Sequence, residues 1–277
     1  MFSSAVQPPI ISLFSSTGSK PLGIWFSTTT GSNPHSFIHL LHDSTSHPPP
    51  APPASLINPS STSTENQGLL LDQTVLHIQS PDLRTTYIQC PPNADPEGDL
   101  GLQSVQGGRH QQQGDLGIRH QCIHLQVRNL SKDWSFEIGV RDTAGKAGIL
   151  RFSTFQVHTI RSYTTSPRMK LRPSKQPILH LPLSFHAGES RTTPWSTINL
   201  HLPTYLGHFA APEVQPERSE GSDSSGIPGG HLIPKAKYSH VCYVRIYANC
   251  RLRRVWLDDT LQAQQGLPWE FELYSPQ

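Results

Sequence analysis

Arg245, Arg251, Arg253 and Arg254 crowd the stretch Tyr243–Pro276, YVRIYANCRLRRVWLDDTLQAQQGLPWEFELYSP, which reads as a strand, an arginine-rich turn and a second strand in one hairpin, then a closing strand, and they form the densest basic cluster of the chain. A guanidinium fork meets a carboxylate through two parallel hydrogen bonds, so the cluster suits a carboxylate-rich partner surface. The same charges also suit a solvated edge that discourages sheet-to-sheet pairing. Gly18-Ser19-Lys20-Pro21 lacks the GxxxxGK[ST] spacing of a phosphate loop, and no helical periodicity follows it. It reads as a turn between two strands. His35, His39, His42 and His47 have ligand-like spacing but sit in Ser/Pro-rich sequence with no cysteine or carboxylate cluster beside them, so no metal site is expected there. Serines and histidines are plentiful, yet none stands in a GxSxG or similar nucleophile frame. The expectation is a protein with no catalytic residue, no cofactor and no metal.

The 4 cysteines, Cys90, Cys122, Cys242 and Cys250, form no CxxC pair and fall on strand-like segments. They are expected as reduced, buried thiols rather than a disulfide framework.

The elements that must position these residues are strands. Ile123, Leu125 and Val127 alternate with His124, Gln126 and Arg128. Trp134, Phe136, Ile138 and Val140 alternate with Ser135, Glu137, Gly139 and Arg141. Leu179–Phe185, Ile198–Leu202 and Val244–Cys250 repeat the pattern. With Ile10–Phe14, Leu22–Phe26, Val75–Ile78, Thr85–Cys90 and Phe271–Tyr274 this gives about ten strands, each with one apolar face. An all-β fold follows, an antiparallel β-sandwich in the jelly-roll or carbohydrate-binding-module style. Parity breaks at Arg253-Arg254: Cys250 and Leu252 share a face, whereas Val255 and Leu257 take the opposite parity. A β-bulge or tight turn there would re-aim the arginines. Trp134 and Trp195 begin strands and are expected in the core, while Trp25, Trp256 and Trp269 lie nearer the chain ends.

With 277 residues, 26 Pro and 20 Gly but only 35% hydrophobic residues, the chain is expected to form one domain over 1–277 with polar insertions. Segments 28–67, 93–115, 166–176 and 211–237 bury too little apolar surface to offset their ordering entropy and are expected to be disordered. The first contains His47-Pro48-Pro49-Pro50-Ala51-Pro52-Pro53, which reads as a stiff spacer, with an SH3 or WW ligand as its other use. The second repeats Gly-Asp-Leu-Gly at 98–101 and 114–117. A net charge of +2 gives no bulk case for nucleic acid or an anionic membrane. No apolar run reaches the roughly 20 residues of a membrane helix, and the N-terminus has no leader pattern. The expectation is a soluble intracellular protein.

Val244, Ile246, Ala248, Asn249, Cys250, Arg251, Arg253, Arg254 and Val255, with Asp258, Leu267-Pro268, Glu270-Phe271 and Leu273-Tyr274, resemble the C-terminal end of the cilia- and flagella-associated protein 20 family. Ile11–Ser16, Gly18–Leu22 and Ile24-Trp25 resemble its N-terminal block, and Thr85–Ile88 with Cys90-Pro91 a third. In the strand after Lys146 the family is richer in arginine, and here Arg151 remains. The resemblance implies a non-catalytic β-sandwich of the ciliary axoneme or basal body that supports ciliary assembly and motility. Its implied partners are the tubulin wall of the microtubule and neighbouring axonemal proteins, met through Arg245, Arg251, Arg253 and Arg254, with Lys20 as a further contact. It implies location in cytoplasm, cytoskeleton or cilium. Two other readings stand beside it: a non-ciliary, nuclear interaction module, and a glycan-binding sandwich that would need Trp25, Trp256 and Trp269 exposed in a strip.

Overall fold

Alternating apolar and polar residues leave each strand with one face to bury, and two sheets meet on those faces in a computed structural model. The structure describes residues 1–2, 6–29, 31, 33–49, 73–94, 114–155, 167–171, 175–185, 193–209, 233–261 and 269–271. Its strands are β1 (Ile11–Ser15), β2 (Phe26–Thr28), β3 (Phe37–His42), β4 (Thr74–Gln79), β5 (Tyr87–Cys90), β6 (Cys122–Asn129), β7 (Ser135–Asp142), β8 (Ala147–Ser153), β9 (Arg168–Lys170), β10 (Ile178–Pro182), β11 (Ser196–His201), β12 (Tyr238–Tyr247) and β13 (Cys250–Asp258). One short helix, α1 (Leu202–Leu206), follows β11. The first sheet runs β11-β6-β13-β4-β3, with β1 also on β13. The second runs β2-β5-β12-β7-β8-β10-β9. Pairing is antiparallel except for β10, which lies parallel to β8.

One apolar cluster fills the space between the sheets. Leu76, Ile78, Leu125, Val127, Leu252 and Val255 enter it from the first sheet, and Ile88, Phe136, Ile138, Leu150, Val244 and Ile246 from the second. Phe136 stacks on Phe152 at 4.9 Å, and Trp134 packs against Phe136 at 5.3 Å. The indole N–H groups of Trp134 and Trp25 are satisfied by Tyr247 O at 3.0 Å and Leu13 O at 2.8 Å. All 4 cysteines are free and buried. Burial pushes the Cys90 and Cys242 thiols up to about 12.

The bulge expected at Arg253 is present. The β13 register on β6 slips between Leu252 and Arg254, and Cys250, Leu252, Val255 and Leu257 all reach the core. At the slip β13 also changes neighbours: Cys250–Leu252 pair with β4, whereas Arg254–Leu257 pair with β1.

Several expectations are corrected. Tyr243–Val255 does not form a hairpin: β12 and β13 belong to different sheets, and Ala248-Asn249 is the crossing between them. Asn249 pins that crossing through Oδ1 to Ser80 N at 2.9 Å and Nδ2 to Asp133 O at 3.1 Å. The arginines therefore lie on strand, not in a turn. Segment 28–67 contains β3, and segment 166–176 contains β9. Phe37–His42 escapes a period-2 reading because apolar residues occupy both of its parities, and β9 has only 3 residues. Leu22–Phe26 is mostly turn, closed by Gly23 N to Lys20 O at 2.9 Å and Trp25 N to Leu22 O at 3.0 Å. Trp269–Phe271 is a 3-10 turn rather than the start of a strand, and 272–274 lie outside the described residues. So do 50–67, 95–113, 172–174 and 211–232 of the expected insertions, including Pro50–Pro53 and the first Gly-Asp-Leu-Gly.

Candidate partner interface

Each sheet carries a charged row on its outer face, built by strand register. On the second sheet Arg245 stands opposite both Gln89 and Glu137, and Glu137 stands opposite Arg151. Four side chains from β5, β12, β7 and β8 therefore meet in one line. Glu137 is the anionic centre. Arg151 Nε donates to Glu137 Oε1 at 2.6 Å and Arg151 Nη2 donates to the same oxygen, while Tyr243 Oη donates to Oε2 at 3.3 Å. Arg245 Nη1 stands 3.8 Å from Oε2, and its Nε donates to Gln89 Oε1 at 2.8 Å. The Arg245 guanidinium lies 4.5 Å over the Tyr87 ring, a cation–π contact. Tyr87 leans on Tyr247 at 5.5 Å and on Phe26 at 6.4 Å, and Phe26 is 44% exposed at the sheet edge.

On the first sheet the row reads His39, His77, Arg251, Arg128 from β3 to β6. Arg251 and Arg128 face each other directly, a repulsive pairing unless an anion intervenes. Asp43, just past β3, intervenes. It accepts Arg251 Nη1 at 2.6 Å, stands 3.6 Å from Arg128 Nη1, and takes the Trp195 indole N–H at 2.7 Å. Trp195 is thus buried, but in a separate apolar cluster with Leu41 and Val75 rather than in the main core. Arg251 Nε donates to His77 Nδ1 at 3.2 Å. That contact requires a bare Nδ1, and His77 is held down at about 4 by burial and by the Arg251 charge.

Beyond the bulge, Arg253 donates to Gln73 Oε1 at 2.8 Å, Gln126 Oε1 at 2.5 Å and Glu270 O at 2.9 Å. Burial, and then the neighbouring Arg254, pull its guanidinium down to about 10. Arg254 lies 4.7 Å over the Phe271 ring, and Trp256 meets that ring edge-on at 5.2 Å. Gln126 Nε2 also donates to Phe271 O. The turn Trp269–Phe271 is thereby fastened over the outer face of β13. Beside Trp256, His124 stacks at 4.9 Å and bridges Asn199 and Asp258.

The structure does not bring the four arginines marked in the sequence together. Arg245 faces outward from the second sheet, whereas Arg251, Arg253 and Arg254 face outward from the first, so the four do not form one patch. They are 8%, 8%, 3% and 8% exposed and are engaged within the chain. Lys20, on the turn after β1, is exposed. The roles of Asp43 and Glu137 as partners of these arginines were not read from the sequence. Asp43 left one faint signal: it is the first acidic residue of the chain, with none following until Glu65. A strip of Trp25, Trp256 and Trp269 for sugar rings is also corrected, because Trp25 and Trp256 are buried by core packing and by the Phe271 turn.

Fold and site together define a β-sandwich domain whose outward arginines brace its own faces. Residues 35–209 match the CFA20 domain, and the chain belongs to that family. It is 26% identical over 276 residues to Cilia- and flagella-associated protein 20 of Chlamydomonas reinhardtii, covering 100% of this chain and 98% of the relative. The proteins of the same name in Caenorhabditis elegans and Paramecium tetraurelia are 25% and 24% identical, with 92% and 97% of their lengths covered. Among the described residues no helix is long and apolar enough to cross a membrane.

Proposed function

We propose that this chain is a non-catalytic structural protein of cilia or flagella that docks on the microtubule wall and supports ciliary assembly and motility. Its partners are tubulin and neighbouring axonemal proteins, and its place is the cytoskeleton of the axoneme or basal body. The observation that carries this reading is the likeness, along the whole chain, to relatives named for cilia and flagella. Burial of the thiols also fits a structural role, because the thiolate is the reactive form.

Of the residues marked for tubulin, Lys20 makes the direct contact. The β1–β13 pairing brings its turn beside the strand that carries Arg251, Arg253 and Arg254. Those three act from beneath, holding the outer face of the first sheet in one shape, and Arg245 does the same for the second sheet. Preorganised faces lose less entropy on docking.

Co-sedimentation of the full chain with stabilised microtubules across a salt series tests this. Salt-sensitive pelleting is expected, with Lys20→Glu weakening it roughly two- to five-fold while leaving the unfolding midpoint unchanged. Absence of pelleting at low salt, or pelleting indifferent to both salt and Lys20→Glu, would overturn the proposed contact.

A further inference from the structure

The segment leading into β6 runs antiparallel beside the first half of β12. Leu116 N donates to Cys242 O at 2.8 Å, Val241 N donates to Ile118 O at 2.8 Å, and Ile118 bridges Val241. This sets Asp115 against His240 and Cys242, which stand two apart on β12 and share a face. A carboxylate oxygen of Asp115, a ring nitrogen of His240 and Cys242 Sγ all lie within 4.8 Å of one another. His240 Nε2 and Asp115 Oδ2 are 3.1 Å apart. We propose that Asp115, His240 and Cys242 form a zinc site, with water as the fourth ligand.

The donor set is one nitrogen, one oxygen and one sulfur, the three kinds zinc takes in proteins. Zinc bonds of about 2.0–2.3 Å put tetrahedral donors about 3.3–3.8 Å apart, so the trio needs only small side-chain adjustments to close on an ion. His240 Nδ1 lies 2.9 Å from Ser239 Oγ. In the zinc-bound tautomer Nδ1–H donates to that hydroxyl and Nε2 turns its lone pair to the metal, the outer-shell arrangement common to zinc-bound histidines. Zinc forms bonds to Nε2, a carboxylate oxygen and Sγ, and the Cys242 thiol proton leaves to water. One thiolate and one carboxylate balance the charge of the ion.

Arg141 fills the cationic role in the metal-free chain. Its Nη2 is 3.6 Å from Asp115 Oδ2, and its side chain is 36% exposed. Its Nε is buried without a hydrogen-bond partner. Turning outward gives Nε a solvent hydrogen bond in exchange for the Arg141 contacts to Asp115 and to the Cys242 thiol, and clears both groups for zinc. The site would tie the segment after residue 113 to β12 through a second kind of bond.

The test uses the untagged full chain, stripped with a chelator and titrated with Co2+, which zinc then displaces. One equivalent should bind with the thiolate-to-cobalt charge-transfer absorption in the near ultraviolet. Cys242→Ser should abolish that absorption. Asp115→Asn and His240→Gln should each weaken zinc binding roughly ten-fold or more. Arg141→Gln should strengthen it. Circular dichroism of each variant separates lost binding from lost folding, and Asp115→Asn, at a half-exposed position, keeps the test informative if Cys242→Ser misfolds. No thiolate absorption, or zinc affinity unchanged in Asp115→Asn and His240→Gln, would overturn the site and assign any bound metal to others of the 15 histidines.

Discussion

Asp43 holds two guanidiniums and an indole N–H while itself fully buried. Removing it strands Arg128 and Arg251 opposite each other across the β6–β13 ladder with no anion between them. Breaking a buried ion pair from one side costs about 3–5 kcal/mol, because the remaining charge keeps its desolvation penalty. Asp43→Ala is therefore expected to lose about that much in urea denaturation, whereas a surface change such as Lys20→Ala should stay within about 0.5 kcal/mol. His77 gives the same row a pH dependence. It is held at about 4 against an ordinary 6.5, first by burial and then by Arg251. The unfolded chain takes up this proton near 6.5 and the folded chain refuses it until about 4, so this group lowers stability as pH falls across that window and adds nothing further below it. The loss reaches about 3 kcal/mol once pH falls below about 4, where the folded side chain is protonated too. Denaturation at pH 7, 5 and 4 should show a steeper decline for the native chain than for His77→Gln. Parallel declines would assign the acid sensitivity to other groups.

At the scale of strands, the second sheet contains a close approach that requires glycine. Gly139 lies opposite Tyr243 in the β7–β12 register, and a Cβ there would sit 2.3 Å from the Tyr243 ring. The ring is buried and its hydroxyl bonds to Glu137, so it cannot retreat without disturbing the charged row. Gly139→Ala should cost about 1–3 kcal/mol, and much less in a Tyr243→Ala background, as a double-mutant cycle would measure. The element scale is also where sequence reading succeeded and failed most clearly. The bulge at Arg253 was legible, because parity between Leu252 and Val255 cannot be kept in a regular strand with both side chains in the core. The crossing at Ala248-Asn249 was not, because alternation continues from Val244 to Cys250 while the chain changes sheets. A hairpin and a sheet-to-sheet corner leave the same local pattern, and only the long-range partners Ser80, Thr86 and Asp133 distinguish them. For that reason the arginines could be recognised as unusual, yet their partners could not. Glu137 and Asp43 reach them through register, and register is a property of pairs of strands far apart in sequence.

At the scale of the molecule, two sheets share one core, and their outer faces are braced by arginine rows rather than left as free cationic surfaces. Such a body offers partners a fixed shape. In the proposed docking, an exposed charge such as Lys20 serves to steer and orient the encounter more than to hold it. The proposed ciliary role depends on the whole body reaching its destination. The most direct test is therefore to express the tagged full chain in Chlamydomonas reinhardtii, detach the flagella and extract them with detergent. The account predicts that the chain enters flagella and stays with the detergent-insoluble axonemes. A chain confined to the cell body, or released entirely with the soluble flagellar fraction, would contradict it.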